Sequence, residues 1–133
     1  MDANPKIDTL SFLVIDDEAF IRNLLSRLLL RMGAYRVSLV ANGVEALQHL
    51  DATSPAPDVL LIDLSMPEMG GAELIRQLAA RGYKGAIILV SGADRETLVV
   101  AEGMARYRDV NVLGYLTKPP TPEALGKLLE KLG

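Results

Sequence analysis

Five residues of this chain stand at or just beyond the ends of short apolar runs. Asp16 and Asp17 follow LSFLVI, Asp63 follows VLLI, Ser91 follows AIILV, and Lys118 comes two residues after VLGYL. Taken singly each has an ordinary reading: an aspartate after a strand is usually a turn or cap residue, Ser91-Gly92 a loop, and Lys118 a solvated charge. Brought to one place they would do chemistry. Three carboxylates held together repel and raise one another's pKa unless a cation sits among them. Oxygen ligands with no cysteine or histidine nearby suit Mg2+, which keeps several waters and typically takes one or two carboxylates plus a phosphate. Lys118 would add positive charge and Ser91 a hydroxyl for phosphoryl oxygens, so that Asp63 could act as a nucleophile toward phosphorus.

That convergence requires a fold in which those run ends share an edge, and the hydrophobic rhythm predicts one. Leu10 to Ile15 has strand length; Ile21, Leu24, Leu25, Leu28 and Met32 then recur at helical spacing until Gly33, where a C-terminal cap belongs. Tyr35 to Val40 reads as a second strand, Asn42-Gly43 as a turn and Val44 to Leu50 as a short helix. Pro55 and Pro57 precede a third strand, Val59 to Ile62, and Leu74, Ile75 and Leu78 mark a third helix closed by Gly82. A fourth strand, Ala86 to Val90, leads to a fourth helix over Asp94 to Tyr107, with Gly103 an internal weakness of about 1 kcal/mol relative to alanine. The fifth strand, Val112 to Leu116, is followed by a helix with Thr121 as N-cap, Pro122 in its first turn, and Leu125, Leu128 and Leu129 inside. Nearly continuous apolar strands joined through helices are parallel and covered on both faces. The expected class is therefore α/β: a three-layer, doubly wound, five-stranded parallel sheet with its chemistry at the carboxyl ends of the strands.

Composition agrees with one domain and narrows the function. The chain has 133 residues, half of them apolar, enough for a single core without staples. It has no cysteine, which excludes disulfides, thiolate metal sites and a cysteine nucleophile. A net charge of -3 and a pI near 5.1 give no basic footprint for nucleic acid or an anionic membrane. The start MDANPKIDT is unlike a signal peptide, and no apolar run approaches the ~18 to 20 residues that span a bilayer, so a cytoplasmic location is expected. His49, the one histidine, has no ligand partners in the pattern and reads as a surface or packing residue; Tyr35 and Tyr83 read as structural.

Four motifs in order now carry a resemblance: Asp16-Asp17, Asp63-Leu64-Ser65-Met66-Pro67, Ser91-Gly92 and Tyr115-Leu116-Thr117-Lys118-Pro119. Together they resemble the receiver domain of two-component response regulators, of the chemotaxis-regulator kind, over Leu10 to Leu132. The resemblance implies a short N-terminal tail over residues 1–9, a receiver domain over 10–133, and the flavodoxin-like strand order 2-1-3-4-5. It implies that Asp63 accepts a phosphoryl group from a histidine kinase or phosphotransfer protein. Asp16, Asp17, Asp63 and the backbone carbonyl of Ser65 would surround Mg2+. Lys118 would contact the phosphoryl group, and Ser91 and Tyr115 would form a switch pair remodelling the face between the fourth and fifth helices. The chain is then a phosphorylated signalling switch rather than an enzyme. Its outlet would be a downstream output protein or a fused effector domain, with a phosphorylation-dependent dimer as a further form. The Lys118-Pro119 bond is implied to be cis and Pro119-Pro120 trans.

Departures from the family pattern touch rate more than identity. Small, polar Ser65 and the bare Gly92 leave the phosphoryl group open to water, from which a short to middling lifetime is expected. Gly70 replaces a more usual acidic or polar residue before the third helix, loosening its start. The 92–114 segment is longer than in the commonest receivers, resembling receivers attached to cyclic-dinucleotide phosphodiesterase domains, and Val99, Val100, Met104 and Tyr107 cannot all face inward. Rival readings are a degenerate receiver used only for docking or dimerisation, an aspartate-nucleophile phosphohydrolase, and a flavin binder. The hydrolase lacks an acid two residues past Asp63, where Ser65 stands. The flavin binder lacks a Gly, Ser and Thr-rich first loop, since Asp16-Asp17-Glu18 would repel phosphate.

Overall fold

The alternating pattern folds into five strands and the helices that cover them. In the computed structural model, which describes residues 7–66, 69–92, 103 and 109–132, a 3-10 turn over Ile7–Thr9 leads into β1 (Ser11–Ile15). The order continues α1 (Ala19–Arg31), β2 (Arg36–Val40), α2 (Gly43–Ala52), β3 (Val59–Asp63), α3 (Gly71–Ala80), β4 (Ala86–Ser91), β5 (Asn111–Thr117) and α4 (Pro122–Leu129), with a closing 3-10 turn at Glu130–Leu132. Of the expected helix over Asp94 to Tyr107 only Gly103, helical and exposed, is among the described residues; Val99, Val100, Met104 and Tyr107 lie outside them. All strand pairs are parallel, and the sheet order is β2-β1-β3-β4-β5, as the sequence pattern and the resemblance predicted.

Successive side chains of a strand point to opposite faces, and here that alternation sorts the core into two layers. Phe12, Val14, Val59, Leu61, Ile88 and Val90 meet Ile21, Leu25 and Leu29 of α1 and Leu125 and Leu129 of α4. Leu13, Ile15, Leu60, Ile62, Ile87 and Leu89 meet Ala46 of α2 and Leu74, Ile75 and Leu78 of α3. Every residue of β3 and β4 is buried, and each fully buried aliphatic side chain stabilises by about 1.5–3 kcal/mol. At the edge, β2 buries none of its residues fully, although Val37 packs against the first layer and Val40 against the second. Tyr35, expected to be structural, lies just before this edge strand and is 78% exposed, a correction that follows from β2 having a neighbour on one side alone. Tyr83 does pack, donating its hydroxyl to the Pro57 carbonyl at 2.7 Å, and His49 is half-buried on α2.

Local chemistry sets the helix ends. Asn42, read as a turn residue, is the N-cap of α2: its side chain accepts from the Glu45 N–H, while Glu45 accepts from the Ala41 N–H, a reciprocal cap. Thr121 caps α4 by accepting from the Ala124 N–H at 3.2 Å, with Pro122 in the first turn. Gly33 and Gly82 take positive φ after α1 and α3, as C-terminal caps require. Gly70 is the N-cap of α3 without a side-chain bond. The Lys118-Pro119 peptide is cis, and so is Ser54-Pro55, which nothing in the sequence signalled.

A β-bulge in β5 was also unforeseen. Ile87 pairs with Val112 but Ile88 pairs with Gly114, so one extra residue enters β5. The insertion inverts the parity of everything after it. Val112 and Tyr115 both face the α2–α3 layer, and Leu113 and Leu116 both face the α1–α4 layer. Gly114 sits at φ +154, a conformation that favours glycine, and a β-carbon there would also have to push aside a Leu128 methyl 2.6 Å away.

Candidate functional site

Parallel strands end together, and the carboxyl edge therefore collects the residues that follow β1, β3, β4 and β5. Ile15 pairs with Ile62, Asp63 with Val90, and Ser91 with Thr117. That register delivers Asp16, Asp63, Ser91 and Lys118 to one rim. Asp16 and Asp63 are each 1% exposed and Ser91 is fully buried, whereas Asp17 and Glu18 are exposed on the rim. Asp16, Asp17, Glu18 and Asp63 present carboxylate oxygens that all lie within 4.8 Å of one another. Glu18 is the member that sequence reading passed over; its adjacency to the Asp16-Asp17 pair was the available signal.

Backbone donors and one lysine hold the cluster. The Glu18 N–H donates to Asp16 Oδ1 at 2.8 Å and the Ser65 N–H to Asp63 Oδ1 at 3.0 Å. Arg22 of α1 donates to the Asp16 carbonyl at 2.8 Å, fixing the loop backbone. Lys118 Nζ lies 3.4 Å from Asp16 Oδ2, 3.4 Å from Asp63 Oδ1 and 2.5 Å from Glu18 Oε1. Its aim is set by the Lys118 N–H, which donates to the Ser91 carbonyl at 3.1 Å. Among the described residues, two buried oxygens, Asp16 Oδ2 and Asp63 Oδ2, have no hydrogen-bond partner; the lysine beside Asp16 Oδ2 is an ion-pair neighbour without a hydrogen bond.

Electrostatics follow from that shortage of donors. Burial pushes Asp63 up from the ordinary 3.8 to about 6; the Ser65 N–H works against the shift, the Asp16 charge and Asp17 work with it, and Lys118 opposes it. Asp16 is also raised, chiefly by burial, despite the Glu18 N–H and Lys118. For Lys118, burial works downward but the Glu18, Asp16 and Asp63 carboxylates outweigh it, so its pKa is raised and it stays cationic. The site thus holds more negative charge than one ammonium offsets. The orphaned carboxylate oxygens of Asp16 and Asp63, beside the exposed carboxylate of Asp17, form a donor set of hard oxygens, which fits a divalent cation such as Mg2+.

Around this centre the remaining predicted residues fall as follows. Ser65 is exposed two residues beyond Asp63, and no acid stands in its place. Tyr115 is half-buried, on the α2–α3 face beside Leu89 in the register. Gly92 is exposed, and the Lys118 stem passes 3.7 Å from where its β-carbon would be. Met66 is buried, and Pro67 lies outside the described residues. Among the described residues no helix is long and apolar enough to cross a membrane.

Comparison with known proteins points the same way as the geometry. The chain is 32% identical over 124 residues to the positive alginate biosynthesis regulatory protein of Pseudomonas aeruginosa, covering 92% of this chain but 46% of that protein, so it spans about half of that relative's length. It is 32% identical over 123 residues to the chemotaxis protein CheY1 of Helicobacter pylori, covering 91% of this chain and 94% of the relative. A crystal structure of a response regulator from Colwellia psychrerythraea superposes with a TM-score of 0.77 at 31% identity, covering 92% and 95% of the two chains. The family profile described as the response regulator receiver domain matches residues 12–130, and the chain belongs to that family.

Proposed function

We propose that this chain is a phosphoacceptor: Asp63 takes a phosphoryl group from the phosphohistidine of a histidine kinase or phosphotransfer protein, and the modified domain passes the signal to an output protein or a fused effector domain. The observation that carries this reading is the Asp63 carboxylate itself. It is buried at a strand end, one oxygen is fixed by the Ser65 N–H, the other has no partner among the described residues, and an ammonium stands 3.4 Å away. A carboxylate fixed at one oxygen and unsatisfied at the other is preorganised to form a bond through the second.

In the transfer, Asp63 Oδ2 attacks phosphorus, the oxygen–phosphorus bond forms, the donor's nitrogen–phosphorus bond breaks, and its electron pair returns to the imidazole. Lys118 would meet the phosphoryl oxygens as charge moves onto them, and the Ser91 hydroxyl would donate to one of them. Asp16, Asp17, Asp63 and the Ser65 carbonyl would hold Mg2+, which when bound supplies positive charge against the phosphoryl oxygens. Because Asp63 titrates near 6, the nucleophilic carboxylate form predominates at neutral pH. The switch we propose runs through β4 and β5: the new oxygens draw Ser91 inward, and Tyr115 turns with it, changing the exposed surface beside the end of β5. The chain would then act only on its own phosphoryl group, with the short to middling lifetime that Ser65 and Gly92 favour, and would work without contact to nucleic acid or membrane, in the cytoplasm.

Incubation with acetyl phosphate or a phosphorylated kinase, with Mg2+ or with EDTA, tests the reading by intact mass. The expected result is a gain of one phosphoryl group that needs the metal and is lost in Asp63→Asn. No adduct from any donor would leave docking as the role, and turnover of free phosphoesters would mark a hydrolase.

A further inference from the structure

Lys118 makes its shortest contact away from the nucleophile. The ammonium lies 2.5 Å from Glu18 Oε1, nearly an ångström closer than to Asp16 or Asp63. Glu18 stands at the N-cap of α1, with φ -88 and ψ 109, a position where a short acidic or hydroxyl side chain normally folds back to accept a helix N–H. It makes no such bond. Instead its side chain reaches across the sheet edge to a residue a hundred positions away, while its own N–H anchors to Asp16 Oδ1. The Glu18 side chain is 58% exposed and that of Lys118 only 11%, so the carboxylate can swing into water at small cost while the ammonium stays at the rim.

We propose that Glu18 is a positioning residue that holds Lys118 at the rim of the unphosphorylated site and competes with the incoming phosphoryl group for it. This rests on Asp63 being the phosphoacceptor. The pair makes the resting site less ready for an anion, and a phosphoryl group draws the ammonium inward only by displacing Glu18. A fourth metal carboxylate is the competing role for Glu18, but Mg2+ typically takes one or two carboxylates, and Asp16, Asp17 and Asp63 already provide more.

Two variants separate the pair from its charge. Glu18→Gln removes both. Glu18→Asp keeps the charge, shortens the reach to Lys118, and places a favoured N-cap residue where it can turn back onto α1. The probe is beryllofluoride, a phosphoryl analogue, titrated at saturating Mg2+ and followed by the amide NMR signals of Gly92 and Lys118, with Mg2+ alone titrated in parallel. Both variants are expected to bind the analogue about two- to fivefold more tightly than the unsubstituted chain, the range a half-exposed ion pair supports, with Mg2+ affinity changed less than about threefold. Glu18→Asp behaving like the unsubstituted chain would show that field, not pairing, matters, and would overturn the inference. So would weaker analogue binding in either variant, or a loss of Mg2+ affinity beyond tenfold. If the unsubstituted chain forms no Mg2+-dependent complex, the phosphoacceptor reading fails as well; if it does and the variants match it, only the role of Glu18 fails.

Discussion

Strand β3 carries an aspartate at each end, and the two are treated in opposite ways. Asp58 lies just before the strand at the amino edge of the sheet, where its Oδ2 accepts from the Ser11 N–H at 2.8 Å and the Ser11 hydroxyl at 3.1 Å. Its backbone is equally occupied: the N–H donates to the Ser11 carbonyl, and the carbonyl accepts from the Ala86 N–H. Asp63, at the carboxyl edge, is buried with one oxygen unpartnered and its pKa pushed up. At one edge an aspartate, through its carboxylate and its backbone together, ties three strands; at the other the carboxylate is kept costly. The strain of an uncompensated charge is stored where a ligand could relieve it, and stability is drawn from the edge where none is expected.

Neutralising Asp63 should break the contrast most. In Asp63→Asn the amide oxygen can still accept from Ser65, the amide can donate into the surrounding carboxylates, and a buried charge is gone. Without metal at pH 7 this variant should be more stable than the unsubstituted chain, by up to about 3 kcal/mol for a carboxyl raised by roughly two units. The pH dependence fixes the sign. A carboxyl whose folded pKa is raised binds more protons folded than unfolded, so its cost is absent below about 4 and fully present above about 6. Urea unfolding across this range should show the stability gap between the two proteins open between pH 4 and 7 and then level off; a gap that is flat or reversed would mean that Asp63 is not held at a cost.

Adding metal should relieve the same strain by another route. At ten times its dissociation constant Mg2+ should stabilise the unsubstituted chain by about 1.4 kcal/mol, because it binds the folded state alone. Asp16→Asn, which empties one of the two orphaned oxygens, should lose most of this gain, as read from the shift in denaturant midpoint with and without EDTA. An equal gain in the variant would place the ion elsewhere.

Legibility in the sequence divides along the same line between local and distant causes. The strand ends at Asp16, Asp63, Ser91 and Lys118 could be read because each follows an apolar run, and a parallel sheet brings such ends together. The caps at Thr121 and Gly33 were legible for the same local reason. The face on which Tyr115 lies was not, since it depends on a bulge opposite Ile87 and Ile88, a matter of pairing between strands rather than of pattern within one; Gly114 was its only mark. Exposure of Tyr35 depends on β2 being an edge strand, which the order of strands decides. The direction of Glu18 depends on a partner a hundred residues on, and beside two aspartates it read simply as more negative charge.

The smallest expected effect sits at the satisfied end of β3. Asp58→Ala removes an acceptor that binds both the N–H and the hydroxyl of Ser11. These groups are exposed enough for water to replace it, so the loss should be about 1 kcal/mol rather than the larger cost of a buried orphan. The direction matters more than the size: removing this carboxylate destabilises, whereas neutralising Asp63 stabilises, although both end the same strand. Since the amino edge lies the length of β3 away from the acidic cluster, the rate and extent of phosphoryl uptake from acetyl phosphate, measured by intact mass, should be unchanged in Asp58→Ala. A variant that lost stability and uptake together would show that the two edges are coupled through β3, and the division of labour between its two aspartates would have to be given up.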